Sequence, residues 1–69
     1  KQSKEELINQ AIQLHLKGNV LDAAKVYQNF INQGFNDHRV FSNYGAILQG
    51  IGNLADAESS FRKARSLRL

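Results

Sequence analysis

The feature that most constrains this chain is a repeat with a period of 34 residues. Residues 18–27, with the sequence GNVLDAAKVY, return as residues 52–61, with the sequence GNLADAESSF. Glycine, asparagine, aspartate and alanine recur identically, and the terminal aromatic recurs as Tyr27 and Phe61. A fixed period of this length is typical of folds in which one supersecondary unit stacks on the next. We therefore expect two stacked units whose function is to offer an interaction surface, and we do not expect a catalytic centre.

Composition narrows the class of protein further. The chain has no cysteine, so neither a disulfide nor a thiolate metal site is expected. Its net charge of +3 is modest. No apolar run approaches the roughly 20 residues that a membrane span needs, so we expect no membrane segment. The sequence begins with Lys1 and not with methionine, which suggests an excerpt from a longer protein, and the lack of cysteine and of a signal pattern favours a cytoplasmic location.

The first half of the chain predicts two helices. Ser3 and Glu6 have the spacing of a capping box, and Gly18 with Asn19 is expected to end the helix that follows. A second helix should run from about Val20 to Gln33 and end at Gly34. The apolar positions of the first helix are Leu7, Ile8, Ala11, Ile12, Leu14 and Leu16, and the predicted inner face of the second comprises Ala23, Ala24, Tyr27, Phe30 and Ile31.

The second half predicts two more helices. Asp37 is a suitable N-cap for the third, and Gly50 and Gly52 flank its end. The fourth should run from about Leu54 to near the C-terminus. Nothing alternates with a period of two, so no strand is predicted, and the short loops favour antiparallel neighbours. The predicted inner faces comprise Val40, Phe41, Tyr44, Ile47 and Leu48 in the third helix, and Ala57, Phe61, Ala64 and Leu67 in the fourth.

Both units resemble the tetratricopeptide repeat, which has a large apolar residue, Leu-Gly, an aromatic residue and Ala-x-x-x-Phe at fixed places in 34 residues. The family's proline is missing, since Phe35 and Leu69 stand near its places, and Gln10 replaces an apolar residue. Gly18 and Gly52 match the glycine between the two helices of a repeat. The other matching residues are Leu7, Ala11, Leu14, Ala23 and Tyr27 in the first unit, and Phe41, Tyr44, Gly45, Leu48, Ala57 and Phe61 in the second.

The resemblance implies an all-α fold of two helix-turn-helix hairpins. Its four antiparallel helices would stack as a short right-handed solenoid in one domain, residues 1–69. The first repeat would cover about residues 4–37 and the second about residues 38–69. Ala11 and Gly45 would be small because the helices of a hairpin approach closely there.

The resemblance also implies where a partner binds. The first helix of each tetratricopeptide repeat lines a concave groove, which is the usual peptide site in the family. By this likeness, the partner-binding groove would be lined by Glu5, Ile8, Asn9, Ile12, His15 and Leu16 from the first helix, and by Arg39, Ser42, Asn43, Ala46 and Gln49 from the third.

Asn9 and Asn43 lie one period apart on the expected groove. An asparagine amide can donate to and accept from a peptide backbone whatever its side chains. The pair is similar to the start of the asparagine ladder in repeat arrays of the O-linked N-acetylglucosamine transferase kind. The alternative is two solvated or locally bonded asparagines.

Ile8, Ile12 and Leu16 form an apolar stripe along the first helix. Three branched aliphatic side chains left in water would mark an interaction site for a peptide, a partner helix or a second copy of the chain. The alternative is ordinary packing against a neighbouring hairpin.

Basic residues crowd the C-terminal end of the chain, at Arg62, Lys63, Arg65 and Arg68. Cations suit the end of a helix, which is the simpler interpretation, and binding to an acidic partner or an anionic surface is the other. Nucleic-acid binding is not expected, because the cluster lacks interleaved aromatic residues.

The sequence offers no catalytic constellation. His15 and His38 are far apart, and neither has cysteine or carboxylate neighbours at metal-ligand spacing. We expect no metal site, no cofactor and no enzyme activity in these residues. The expected function is a protein-protein interaction module with a protein or peptide ligand. Two alternatives are structural self-association as a homodimer, and recruitment of substrate within a larger bacterial protein of the transferase type.

Overall fold

A computed structural model describes residues 2–68, and its regular elements are four α-helices. They are α1 (Lys4–Leu16), α2 (Val20–Asn32), α3 (His38–Gly50) and α4 (Leu54–Leu67). Residues 2–68 contain no strand, as the sequence predicts. Within the same range, none of the helices is both long enough and apolar enough to cross a membrane.

The chain divides into two compact units, Lys1–Phe35 and Asn36–Leu69. In the first unit α1 packs against α2, and in the second α3 packs against α4. We refer to these as the first and second helix pairs. The all-helical class and the four predicted helices are confirmed, with bounds close to those expected.

Side chains cap the first helix of each pair, as predicted. The backbone N–H of Ser3 donates to Oε1 of Glu6 at 2.7 Å, and the N–H of Glu6 donates to Oγ of Ser3 at 3.2 Å. This reciprocal capping box satisfies two N–H groups at the start of α1. At the start of α3, Oδ1 of Asp37 accepts from the backbone N–H of Arg39 at 2.9 Å.

The turn inside each helix pair is built in the same way. Gly18 and Gly52 have φ angles of 84° and 88°, in the left-handed region that favours glycine. The residue after each glycine donates its N–H to a carbonyl five residues earlier, at 2.9 Å in the first unit and 2.8 Å in the second. This is the Schellman motif, and it satisfies carbonyls that the helix end leaves open. The sequence repeat is therefore also a repeat of backbone geometry.

A third turn of the same kind ends α2, where the tetratricopeptide pattern has its proline. Gly34 has a φ of 85°, and the N–H of Phe35 donates to the carbonyl of Phe30 at 3.4 Å. The two phenylalanine rings pack with their centroids 5.3 Å apart. An apolar contact between these two positions frequently accompanies a Schellman motif. The glycine turn thus ends α2 without proline; Leu69, at the corresponding place in the second repeat, lies outside the described residues.

The buried apolar residues belong to the predicted apolar faces, but fewer residues are fully buried than predicted. In the first pair the buried apolar residues are Leu7, Ile8, Ala11, Ala23, Tyr27 and Phe30. In the second they are Val40, Phe41, Ile47, Leu48, Ala57 and Ala64. Several residues predicted on the inner faces are only half-buried: Leu14, Ala24, Ile31, Tyr44, Phe61 and Leu67.

Two of the contacts between α3 and α4 involve specific pairs of residues. A Cβ built on Gly45 would lie 2.9 Å from Cε1 of Phe61, so the ring occupies the space that a side chain at position 45 would need. Ser60 is buried, and its hydroxyl donates to the backbone carbonyl of Phe41 at 2.8 Å. The close approach at Gly45 was predicted, whereas the hydrogen bond from Ser60 was not.

Candidate interaction surfaces

The α1 residues predicted to line a groove do not share one environment. Those that water reaches freely are Glu5, Asn9 and Leu16, those that are half-buried are Ile12 and His15, and Ile8 is buried. The exposed and half-buried members recur every three to four residues, so they follow one side of the helix.

The apolar stripe of α1 is not the exposed patch that the sequence suggested. Ile8 is only 1% exposed, Ile12 is half-buried and Leu16 is 77% exposed. Ile8 adjoins Leu7 and Ala11, which belong to the buried side of α1, and burial of a branched aliphatic side chain is favourable by roughly 1.5–3 kcal/mol. The prediction that Ile8 is available to a ligand is therefore wrong, and Leu16 is the stripe's exposed member.

The predicted residues of α3 are more uniform. Arg39, Ser42, Ala46 and Gln49 are all exposed. Their spacing of three, four and three residues keeps them on one side of α3, away from the buried side chains of Val40, Ile47 and Leu48. We call these four residues the α3 stripe. It is mostly uncharged, with a small residue in its middle.

Arg39, at one end of the α3 stripe, is held by the residue that caps the helix. Its Nε donates to Oδ1 of Asp37 at 3.0 Å and its Nη2 donates to Oδ2 at 2.9 Å. This is the bidentate geometry of strong arginine-carboxylate pairs. The carboxylate side chain is only 13% exposed, so the pair fixes Arg39 beside the first turn of α3.

Asn9 and Asn43 are not equivalent, although they lie one period apart. Asn9 is exposed, and its amide has no hydrogen-bond partner among residues 2–68. Asn43 is half-buried and is not without a partner. Asn9 is therefore open to a ligand in a way that Asn43 is not.

The turn of the first helix pair exposes two large apolar side chains, of which Leu16 was predicted and Leu21 was not. Leu21 is 66% exposed and Leu16 is 77% exposed. An open depression along the turn is lined by residues 18–22, which include Leu21. The turn of the second pair likewise exposes Ile51 and Leu54. Leu21, Ile51 and Leu54 lie at helix ends, outside the predicted apolar faces, and this position was the signal that could have found them.

The titratable residues near these surfaces include both histidines of the chain. His15 is half-buried near the end of α1, and His38 is exposed at the start of α3. No group of three or more His, Asp or Glu side chains among the described residues is placed to hold a metal ion. The pKa of the Glu6 carboxyl is lowered, first by the hydrogen bond from the Ser3 backbone and then by the one from its hydroxyl. This perturbation belongs to a helix cap.

The exposed side of α1 offers the amide of Asn9, the carboxylate of Glu5 and the apolar side chain of Leu16, and the α3 stripe offers mostly hydrogen bonding. The amides of Asn9 and Gln49 and the hydroxyl of Ser42 offer donors and acceptors in water.

Three comparisons with known proteins gave no match. A scan against protein-family models found no match, and searches of curated proteins and of solved structures found none either.

Proposed function

We propose that this chain is a non-catalytic protein-interaction module of the tetratricopeptide type. In this proposal each helix pair is an antiparallel hairpin, and the two hairpins stack as a short right-handed solenoid. The exposed sides of α1 and α3 then line a concave groove for a peptide or a partner helix. A cytoplasmic location remains a prediction from the sequence.

One observation carries the proposal: the two helix pairs are built alike at positions 34 residues apart. Gly18 and Gly52 have the same left-handed conformation, and the hydrogen bonds around them match. Such a repeat of local geometry is the basis on which solenoid repeats stack and expose one continuous side.

The α3 stripe and Asn9 supply the groups that would hold the ligand. Ser42 and Gln49 flank Ala46, whose small side chain would leave room for a peptide to approach the helix. Asn9 has an amide that is open to hydrogen bonding. These groups recognise backbone amides and carbonyls, so we expect modest selectivity for the peptide's side chains.

Selection of peptides from a random library on the immobilised chain tests the proposal. An Ala46→Arg variant should weaken a selected peptide by about tenfold or more, because the large side chain fills the middle of the α3 stripe; about tenfold corresponds to 1.4 kcal/mol. Ala55→Arg is the matched control, since Ala55 is exposed on α4. A library that yields no ligand, or an equal loss in both variants, would count against the proposed groove.

Self-association is the second candidate function, and the exposed Leu16 and Leu21 favour it. Two exposed leucines at one turn are a surface that a second copy of the chain could cover. Light scattering over a wide concentration range should then show a dimer that Leu16→Gln with Leu21→Gln abolishes. Leu54→Gln, at the other exposed turn, should leave that dimer intact. A monomer at every concentration excludes this alternative.

A further inference from the structure

Four basic side chains cover the C-terminal part of α4. Arg62, Lys63, Arg65 and Arg68 are all exposed. Among the described residues, Arg62 has an acidic partner in Glu58, with 3.2 Å between Nη2 and Oε2. Both side chains of that pair are about two-thirds exposed, at 66% and 67%, so water screens the interaction strongly. Lys63, Arg65 and Arg68 have no carboxylate partner within residues 2–68.

Three of these residues form a row. Arg62, Arg65 and Arg68 are spaced by three residues, so each is a surface neighbour of the next. We call them the arginine row. Lys63 lies on another side of the helix, since successive residues are rotated by about 100°. The side of α4 that packs in the core contains Ala57, Ser60 and Ala64.

The helix end accounts for only part of this arrangement. Cations are favoured in the last turn of a helix because they face its open carbonyls, which suits Arg65 and Arg68. Arg62 lies one turn earlier, where that effect has fallen away. Like charges at a spacing of three or four residues repel each other, so the row is unfavourable for the isolated helix. An anionic partner would reverse the sign of that interaction.

We propose that the arginine row binds an acidic peptide segment, that is, a run of Asp or Glu side chains on a partner protein. The planar guanidinium group presents N–H donors in a fork that matches a carboxylate with two parallel hydrogen bonds. Three such forks in a row fit a series of carboxylates. This inference is independent of the proposed groove, because it uses only α4.

The surroundings of the row favour a peptide over other polyanions. Single-stranded nucleic acids are bound on exposed aromatic side chains, and the one aromatic residue of α4, Phe61, is half-buried against Gly45. Helices that lie on membranes have large apolar side chains beside their cations. Among the described residues, the exposed neighbours one turn from the row are instead Glu58, Ser59 and Ser66.

Binding of a fluorescent hexaglutamate peptide to the full chain tests this inference by anisotropy. Replacing all three arginines by glutamine should weaken binding by about tenfold or more, whereas Lys63→Gln should change it by less than about twofold. Replacing all three arginines by lysine keeps the charge but removes the forks, and it should weaken binding by about threefold or more. Circular dichroism checks that each variant keeps its helices, and Arg65→Gln alone gives a milder change should the triple variants lose structure.

Four results would overturn the inference. The first is that the peptide does not bind, and the second is that Lys63→Gln and Arg65→Gln weaken binding equally. The third is that the triple lysine variant binds the peptide as tightly as the unmodified chain. The fourth is that an oligothymidylate or phosphatidylserine vesicles bind more tightly than the peptide. The last result would assign the row to a nucleic acid or a membrane. None of them affects the test of the groove by Ala46→Arg.

Discussion

The ring of Phe61 lies so close to Gly45 that a Cβ atom added there would be 2.9 Å from Cε1 of the ring. Gly45 lies inside α3, where glycine costs about 1 kcal/mol relative to alanine. Its presence is explained by the ring of α4, which uses the space that any larger residue would fill.

Gly45→Val should therefore lower the free energy of unfolding by about 1–3 kcal/mol, as overpacked cores do. Gly50→Val is the matched control, because a Cβ at Gly50 meets nothing within 4 Å, and its effect should stay within about 0.5 kcal/mol. Urea denaturation followed by circular dichroism measures both. Adding Phe61→Leu should recover part of the loss at position 45. Equal effects at the two glycines would mean that the ring does not constrain α3.

The buried hydroxyl of Ser60 should contribute measurably to the second unit. Ser60→Ala removes its hydrogen bond to the carbonyl of Phe41 and should cost about 1 kcal/mol relative to Ser59→Ala. Ser59 is exposed on the same helix, so the pair shares the same change in helix propensity. Equal unfolding free energies for the two variants would contradict the assignment.

The capping box of α1 should make the first unit sensitive to acid. Because hydrogen bonds lower the pKa of Glu6 in the folded state, its contribution is present above the unfolded pKa and is lost as pH falls through the folded pKa. Glu6→Gln should remove this part of the acid dependence. In Ser3→Ala, NMR titration should find the Glu6 pKa only partly restored, since the larger cause, the backbone N–H of residue 3, remains. Full restoration would assign the shift to the hydroxyl.

Asp37 should stabilise α3 mainly as a cap. Asp37→Ala should cost about 1 kcal/mol, within the usual range of about 0.5–2 kcal/mol for a lost N-cap. Asp37→Asn keeps an acceptor for the N–H of Arg39 but loses the ion pair with its side chain, so it should cost less than Asp37→Ala. Thermal unfolding compares the two. If Asp37→Asn lost as much stability as Asp37→Ala, the ion pair with Arg39 would be the main contribution of Asp37 to stability.

The sequence predicted the helices because their signals are local. Ser3, Asp37 and the glycines at positions 18, 34 and 52 act within a few residues of themselves, so their caps and turns could be read directly. The hydrogen bond from Ser60 joins residues 19 apart on different helices, and Val26 stands at the equivalent place in the first repeat. A period-based interpretation has no means of finding such a contact.

The candidate surfaces were predicted less well. The family pattern assigned equivalent exposure to equivalent positions, yet Ile8 is buried while its counterpart Ser42 is exposed. The difference follows from the two side chains, because burying an apolar isoleucine side chain is favourable and burying a polar serine side chain is not. The exposed Leu21 was missed because it lies in the first turn of α2.

NMR mapping of a library-selected peptide on the isotopically labelled chain decides whether the exposed residues of α1 and α3 bind a peptide. We expect the perturbed amides to include Asn9 on α1 and Ser42, Ala46 and Gln49 on α3, and we expect the Ala46→Arg variant to lose these perturbations. Perturbations confined to α2 and α4, or none with any selected peptide, would contradict the proposal that this chain is a peptide-binding module.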